Sequence, residues 1–318
     1  MTPKRAAIIV NPVKIDIPHL QQLLPALESA HGYADTLLIE TTKDSPGTEQ
    51  ARGALDAGVD VVIAAGGDGT VRLVADALAH TDTPFAIIPA GTGNLLARNL
   101  GLVDRFNRIF ELEDALEVAF GGNERRIDLG EVEVERPGGG HEKFRFGVIA
   151  GLGIDAGMIE HTDEDLKAKI GWLAYCGGIL KWLAGSGAFS ARYKIAGGHT
   201  WGTRASSIMI GNSGRLPGGL NLLPDADIAD GLIDMVVMRP RGPLGWAMVV
   251  AGIIARNLPG VKPPTHRALN YFQGREVLLR LDGSPQDFEL DGDGEGEIVA
   301  LRAHTLPGAL VARVPVTS

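Results

Sequence analysis

The stretch from Val59 to Leu78 constrains the fold more than any other part of this sequence. It opens with a short apolar run rich in β-branched residues, which is typical of a buried strand. Gly66-Gly-Asp-Gly-Thr70 follows, and the next residues place apolar side chains at helical spacing. A strand, a glycine turn and a helix in this order bring backbone N–H groups and a helix N-terminus to a place where phosphate can bind. The alternative is an ordinary strand-to-helix turn in which Asp68 or Thr70 caps the helix.

Asp68 is the unusual residue of this turn, because a carboxylate beside a phosphate repels it unless a cation lies between them. Glycines suit such a turn, since Cβ atoms would block the close approach of a ligand to the backbone. The turn therefore indicates a nucleotide together with Mg²⁺, with Asp68 facing both.

Strands and helices alternate through the first 127 residues, which predicts a mostly parallel, Rossmann-like α/β domain. Ligands of such sheets bind at the carboxyl ends of the strands. Four turns should meet at that edge, namely Asn11, Thr42, Gly66–Thr70 and Gly91–Asn94. Their convergence favours a nucleotide site more than either glycine turn does alone.

The pattern changes after about Ile127, where seven short segments read as strands separated by loops. Two helical segments, at about Glu164–Ala184 and Leu244–Asn257, interrupt them. The sequence therefore predicts a second, β-rich and sandwich-like domain over residues 128–305.

Charge and cysteine content limit the partners and the compartment. The net charge of −9 argues against nucleic acid. The single cysteine, Cys176, excludes a disulfide framework and fits a reducing compartment. The N-terminus lacks a signal-peptide pattern, and no apolar stretch reaches the roughly 18 residues of a membrane span. We expect a cytoplasmic protein.

Eight motifs occur in an order that resembles the bacterial diacylglycerol kinase and lipid kinase family, whose relatives include sphingosine kinases and, more distantly, NAD kinases. They are Asn11-Pro12, Gly66–Thr70, Pro89–Asn94, Ile127–Leu129, Gly151–Ala156, Gly211-Asn212, Pro224–Asp234 and Leu290–Asp293. The resemblance implies a nucleotide-binding domain at 1–127, completed by 306–318, and a lipid-substrate domain at 128–305. It implies ATP- and Mg²⁺-dependent phosphorylation of a lipid hydroxyl, with diacylglycerol as the first expectation and phosphatidic acid as its product.

The resemblance also assigns roles to residues. The ATP-binding positions are Asn11, Thr42, Gly66, Gly67, Asp68, Gly69, Thr70, Val71, Arg72, Thr92 and Asn94. Asp68, Asp291 and Asp293 are the expected catalytic carboxylates, and one of the last two is the general base. The alternative for the acidic segment Asp291–Glu297 is a solvated surface turn.

A structural Mg²⁺ is also implied in the second domain. Its ligands are the Asp230 carboxylate and the main-chain carbonyls of Asp227 and Leu232, oxygen donors that suit a hard cation. The alternative is an Asp-Gly turn without a metal.

The chain departs from the family pattern at several positions. Arg72 and Leu73 stand where Asn-Glu is usual, and Asp293 replaces a Glu. Leu95 replaces an Asp of a set that organises catalytic Mg²⁺, which leaves Asp68 and Asp128 of that set. The opening motif reads Asn-Pro-Val-Lys, ending at Lys14, and lacks the usual Ser-Gly.

These departures leave other functions open. One is a kinase of a sphingoid base, another glycerolipid or NAD, and the other is a catalytically weakened nucleotide- or lipid-binding protein. For the lipid side, the apolar segments Leu166–Ala184 and Pro243–Leu258 are either core helices or the walls of a lipid pocket. We expect peripheral contact with the inner face of the membrane, and the partners considered include a second copy in a homodimer.

Overall fold

The computed structural model describes residues 3–104, 106–153, 187–217, 220–257, 261 and 268–316. The chain divides into two compact units, one formed by Met1–Leu129 with Pro307–Ser318 and the other by Gly130–Leu306. The predicted helix at 164–184 and residue Cys176 lie outside the described residues.

The first unit is built on a parallel sheet. Its strands are β1 (Ala6–Val10), β2 (Leu37–Glu40), β3 (Val61–Gly66) and β4 (Phe85–Pro89), in the order β2-β1-β3-β4. Every residue of β1 and β3 is buried, as expected of parallel strands covered on both faces. The C-terminal part of the chain adds one more parallel pairing, between Ala312 and Phe85.

Five helices accompany this sheet, namely α1 (Ile17–His31), α2 (Thr48–Asp56), α3 (Asp68–Ala77), α4 (Leu95–Asn99) and α5 (Leu112–Gly121). Asp16 caps the N-terminus of α1, where its side chain accepts a hydrogen bond from His19 N–H, and Gly32 follows the last residue in the left-handed conformation. Leu20 and Leu24 of α1 pack with Leu116 of α5 in one core cluster with β1 and β3. The sequence analysis had not identified α5.

The described residues of the second unit form two antiparallel sheets. Its elements are β5 (Asn123–Glu135), β6 (His141–Phe146), β7 (Ile149–Leu152), β8 (Phe189–Ile195), β9 (Thr200–Ala205), β10 (Ser207–Gly211), β11 (Ile233–Met238), α6 (Gly242–Asn257), β12 (Leu269–Gly274), β13 (Glu276–Leu281), β14 (Gln286–Leu290), β15 (Asp293–Ile298) and β16 (Ala300–Val314). Strands β5 and β16 each continue into the first unit. One sheet has the order β12-β11-β10-β7-β14-β15. In the other, β16 pairs with β13 and β5, β13 continues to β8 and β9, and β5 pairs with β6.

The two sheets of this unit share one core. Phe146, Leu279 and Leu301 from one sheet bury their side chains in the same cluster as Ile208 and Phe288 from the other. The predicted fold class is therefore confirmed: a mostly parallel α/β domain followed by an antiparallel, sandwich-like β-rich domain. Strands β9, β12 and β15 had not been predicted, because their buried and exposed positions do not alternate cleanly.

None of the helices in the described part of the chain combines the length and the hydropathy that crossing a membrane requires.

Candidate functional site

The carboxyl ends of the four parallel strands meet at one edge of the first sheet. Val10, the last residue of β1, is in register with Glu40 of β2 and Ala65 of β3, and Gly66 is in register with Pro89. The turns after these strands contain the predicted residues Asn11, Thr42, Gly66–Thr70 and Gly91–Asn94. The sheet therefore brings these four turns together, as the sequence predicted.

The two glycine turns pack directly on each other. Ala90 N–H donates to the Gly66 carbonyl at 2.9 Å. A Cβ atom at Gly91 would lie only 2.9 Å from the Gly67 Cα, closer than carbon atoms approach one another. The neighbouring turn therefore requires glycine at position 91.

Asp68 connects the two turns. Its carboxylate oxygens accept the N–H of Asn94 at 2.9 Å and the N–H of Leu95 at 2.6 Å, so they cap the short helix α4. A Cβ atom at Gly93 would lie 2.9 Å from an Asp68 oxygen. The sequence placed Asp68 against phosphate and Mg²⁺, whereas the structure shows it binding backbone N–H groups.

Asn94 closes the second turn on itself. Its side-chain oxygen accepts Gly91 N–H at 2.8 Å, and its side-chain amide donates to the Gly91 carbonyl at 2.6 Å. The residue is buried and has a positive φ of 47°, a conformation that Asn tolerates better than most residues. The backbone of this turn is therefore held by two side chains, Asn94 within the turn and Asp68 from the first glycine turn.

The N-terminus of α3 has no side-chain cap. Its N-cap residue is Gly67, whose carbonyl accepts Val71 N–H at 3.0 Å. The alternative in which Asp68 or Thr70 caps this helix is therefore wrong. The first N–H groups of a helix need partners from outside it, and an anion is a suitable one. Thr70 and Val71 are buried, and Gly69 and Arg72 are partly buried.

The remaining nucleotide-site residues have mainly local contacts. Asn11 N–H donates to the Ala65 carbonyl at 2.9 Å, and its side-chain oxygen accepts Val13 N–H at 3.0 Å. The Thr42 hydroxyl accepts Ser45 N–H at 3.1 Å. Thr92 is exposed in the second glycine turn. The roles of these residues toward a ligand stay predictions.

Asp128 was expected in a carboxylate set that organises Mg²⁺. It is buried, and one of its oxygens accepts Gly308 N–H at 2.7 Å. Across the residues that the structure describes, no three His, Cys, Asp or Glu side chains are grouped so that they could hold a metal.

In the second unit, Asp291 lies in a two-residue hairpin loop between β14 and β15. Asp291 and Gly292 have positive φ values of 50° and 94°, as a type I′ turn requires. The Asp291 carboxylate is buried and accepts three backbone N–H groups, from Gly147 at 2.8 Å, Val148 at 2.9 Å and Ile149 at 2.8 Å. Asp291 is thus a buried residue of a hairpin and not part of a solvated turn, whereas Gly294, Gly296 and Glu297 of the same segment are exposed.

Asp293 differs from Asp291 in its surroundings. It is the first residue of β15, it is in register with Leu290, and its side chain is partly exposed. Both proposed base residues therefore lie at one hairpin, one buried against the Gly147–Ile149 loop and the other nearer to solvent. The sequence could not reveal this loop as the partner of Asp291, because Gly147 and Asp291 are 144 positions apart.

The predicted metal turn lies between β10 and β11. Asp230 accepts Leu232 N–H at 2.9 Å, and its own N–H is 3.4 Å from the Asp227 carbonyl. The side-chain amide of Gln273 donates to Asp230 at 3.4 Å and to Asp234 at 3.3 Å. A carboxylate and a main-chain carbonyl thus share one turn, and they are donors of the kind that Mg²⁺ prefers.

Asp234 is a buried acid beside this turn. Burial raises the pKa of Asp234 to about 6, the hydrogen bond from Gln273 opposes the rise, and the Asp230 and Asp225 carboxylates add to it. A cation bound nearby would relieve this repulsion. The residues of the turn therefore fit a hard cation.

Helix α6 presents apolar side chains to solvent, and its one charged residue, Arg256, lies in the last turn. Leu244 is 74% exposed and Met248 is 39% exposed, and they stand one turn apart. On the opposite side of the helix, Val249 and Ile253 are buried against β10 and β11. The helix matches the predicted segment at 244–257, extended to Gly242.

Two family models match most of the chain. The diacylglycerol kinase catalytic domain matches residues 5–132, and the YegS C-terminal domain, described as NAD kinase β-sandwich-like, matches residues 148–313. A protein of Pseudomonas fluorescens described as a probable lipid kinase, YegS-like, is 32% identical over 82% of this chain and 80% of its own length. A diacylglycerol kinase of Mycobacterium tuberculosis is 32% identical over 58% of this chain and 57% of its own.

Solved structures show the same fold. A diacylglycerol kinase crystal structure from Bacillus anthracis superposes with a TM-score of 0.71 at 20% identity, over 99% of this chain and 98% of that one. Yeast NADH kinase has a TM-score of 0.50 at 10% identity, over 99% of this chain and 84% of its own. From the two family models and the relatives at 32% identity, the chain belongs to the diacylglycerol kinase and YegS-like lipid kinase family.

Proposed function

We propose that this protein transfers a phosphoryl group from ATP, with Mg²⁺, to the hydroxyl of a lipid, and that diacylglycerol is the lipid. One observation carries the proposal: two glycine turns, fixed to each other by Asp68, lie in a segment that matches the diacylglycerol kinase catalytic domain. The first unit supplies the nucleotide contacts. The N–H groups at the start of α3 and the glycine turns meet the phosphates, and Asn11, Thr42 and Thr92 border them.

The reaction moves one phosphoryl group. An oxygen–phosphorus bond forms from the acceptor hydroxyl, the bond from that phosphorus to the leaving ADP oxygen breaks, and the hydroxyl proton goes to a carboxylate. Asp291 or Asp293 accepts the proton. The three N–H donors that Asp291 accepts hold its carboxylate in one orientation, whereas Asp293 is partly exposed at the start of β15.

Mg²⁺ has two separate places in this proposal. At the nucleotide it would neutralise charge on the phosphates. In the second unit, the Asp230 carboxylate with the carbonyls of Asp227 and Leu232 would hold a structural ion. Asp68 contributes to the nucleotide site mainly by holding the two turns in place, because its carboxylate binds Asn94 and Leu95.

The lipid side of the proposal rests on α6. Its exposed Leu244 and Met248 offer apolar surface for an acyl chain or for the edge of a bilayer. The net charge of −9 would weaken attraction to anionic headgroups, so contact with the inner face of the membrane would be local and peripheral. Co-sedimentation with vesicles that contain diacylglycerol tests this contact, and protein that stays in the supernatant contradicts it.

The decisive experiment is transfer of labelled phosphate from ATP to a panel of acceptors, with and without Mg²⁺. The panel contains diacylglycerol, monoacylglycerol, a sphingoid base and NAD. Labelled phosphatidic acid, formed only with Mg²⁺, supports the proposal. Labelling of another acceptor reassigns the substrate, and nucleotide binding without labelling of any acceptor would mean a binding protein with weakened catalysis.

A further inference from the structure

Lys14 ends the opening motif, at the point where this chain departs from the usual family pattern. After β1 the backbone turns tightly, because Lys14 N–H and Ile15 N–H both donate to the Asn11 carbonyl, at 3.1 and 3.2 Å. This turn directs the Lys14 side chain back over the first glycine turn. A Cβ atom at Gly67 would lie 2.6 Å from the Lys14 ammonium nitrogen, so the ammonium lies directly against Gly67.

The position of this ammonium is electrostatically unusual. Gly67 is the N-cap of α3, and the N-terminus of a helix carries partial positive charge. A lysine at that end is unfavourable by itself, and an exposed lysine is free to extend into water instead. The nearby Asp68 carboxylate is already bound to the N–H groups of Asn94 and Leu95.

An anion bound between the Lys14 ammonium and the N-terminus of α3 would offset their mutual repulsion. It would accept hydrogen bonds from the first N–H groups of α3 and from the lysine ammonium, so that both interactions become attractive.

From this geometry we propose that Lys14 binds a phosphate oxygen of the nucleotide and stabilises the negative charge of the transferred phosphoryl group. The inference rests on the proposed function, because it assumes that the nucleotide binds at these turns. Lys14 would play the part that the lysine of other glycine-rich phosphate loops plays as a point charge. The motif Asn-Pro-Val-Lys then replaces small residues with a direct phosphate ligand.

The test compares Lys14→Ala with the wild-type protein in calorimetric titrations with Mg-ATP, ADP, adenosine and tripolyphosphate. We expect the affinity for ATP and tripolyphosphate to fall about 10- to 100-fold, as on loss of a charge-assisted hydrogen bond. Adenosine affinity should stay within about twofold, because a phosphate contact does not affect base and ribose binding. Lys14→Arg should retain part of the ATP affinity, since it keeps the charge.

Arg52→Ala is the matched control, because Arg52 is exposed on α2 and its removal changes the net charge equally. It should bind all four ligands as the wild type does. Equal ATP affinity in Lys14→Ala and wild type overturns the inference, and so does an equal loss for adenosine and ATP. If the wild type binds ATP and phosphorylates lipid while Lys14→Ala behaves identically, the inference fails and the proposed function stands. If the wild type binds no nucleotide, both fail.

Discussion

Asp68 and Leu95 are 27 positions apart, yet the hydrogen bond from Leu95 N–H to the Asp68 carboxylate joins their two turns. We therefore expect Asp68→Ala to cost about 1–3 kcal/mol of unfolding free energy, since two N–H groups lose their acceptor. Lipid phosphorylation should fall to background, because the second glycine turn loses its anchor. Chemical denaturation and a phosphate-transfer assay on the same preparation measure the two effects.

Asp76→Ala serves as the control for Asp68→Ala, since Asp76 is a partly buried acid near the other end of α3. Its activity should remain near the wild-type level. Full activity and unchanged stability in Asp68→Ala would mean that the hydrogen bonds to Asn94 and Leu95 are needed neither for stability nor for phosphate transfer.

Replacing each of the two hairpin carboxylates by Asn should affect the stability of the protein differently. Asp291→Asn turns an acceptor of three N–H groups into a side chain with one oxygen, so the melting temperature should fall together with activity. Asp293→Asn should leave the melting temperature nearly unchanged, because Asp293 is partly exposed.

The kcat values of these variants identify which of Asp291 and Asp293 is the general base. The residue that accepts the hydroxyl proton should lose about 10²–10⁴-fold in kcat on replacement by Asn, with little change in ATP affinity. Single-turnover kinetics and nucleotide titration measure the two quantities. A loss of ATP affinity in proportion to activity would assign that residue to nucleotide binding, and wild-type turnover in both variants would place the base elsewhere.

The turn from Asp227 to Leu232 is an element whose stability should depend on Mg²⁺. A cation that binds only the folded state at 100 times its Kd stabilises that state by about 2.7 kcal/mol. We expect added Mg²⁺, without ATP, to raise the melting temperature of the wild type and to raise that of Asp230→Ala much less.

Ca²⁺ and K⁺ at matched ionic strength show whether the response is specific to Mg²⁺. Asp227→Ala is an informative companion, because the proposed ligand from Asp227 is its carbonyl and not its carboxylate. It should keep most of the Mg²⁺ response. Identical responses of wild type and Asp230→Ala would remove the metal from this turn.

At the scale of the whole molecule, the chain returns to its first unit through the end of β16. Ala312 is fully buried beside Phe85, and His80 N–H donates to the Ala309 carbonyl at 2.7 Å. Ala312→Asp should destabilise the protein by more than about 3 kcal/mol, because it buries a charge without a partner.

Val316→Asp is the matched control, since Val316 is 63% exposed just beyond β16. It should change the free energy of unfolding by less than about 0.5 kcal/mol. Equal denaturation midpoints for the two variants would show that the last residues contribute little to the first unit.

The sequence by itself determined the class of fold and the places where chemistry is concentrated. Buried strands such as Val61–Gly66 read as apolar runs, and the glycine turns after β3 and β4 stand out, because these signals depend on neighbouring residues. The order of the motifs was sufficient to indicate the lipid kinase family. Strands β9, β12 and β15 were missed, since their local patterns are weak and packing decides them. Helix α5 was missed although Ala115, Leu116, Ala119 and Phe120 recur at helical spacing.

Only the tertiary structure decided what the candidate side chains contact. The Asp68 carboxylate binds the start of α4, and the Asp291 carboxylate is buried against residues 147–149. The Asp128 carboxylate binds Gly308 N–H, and the Lys14 ammonium lies against Gly67. The three carboxylate contacts join residues 27, 144 and 180 positions apart. Contacts at such separations are set by strand register and packing, because no local preference of the chain encodes which distant backbone N–H a carboxylate will meet.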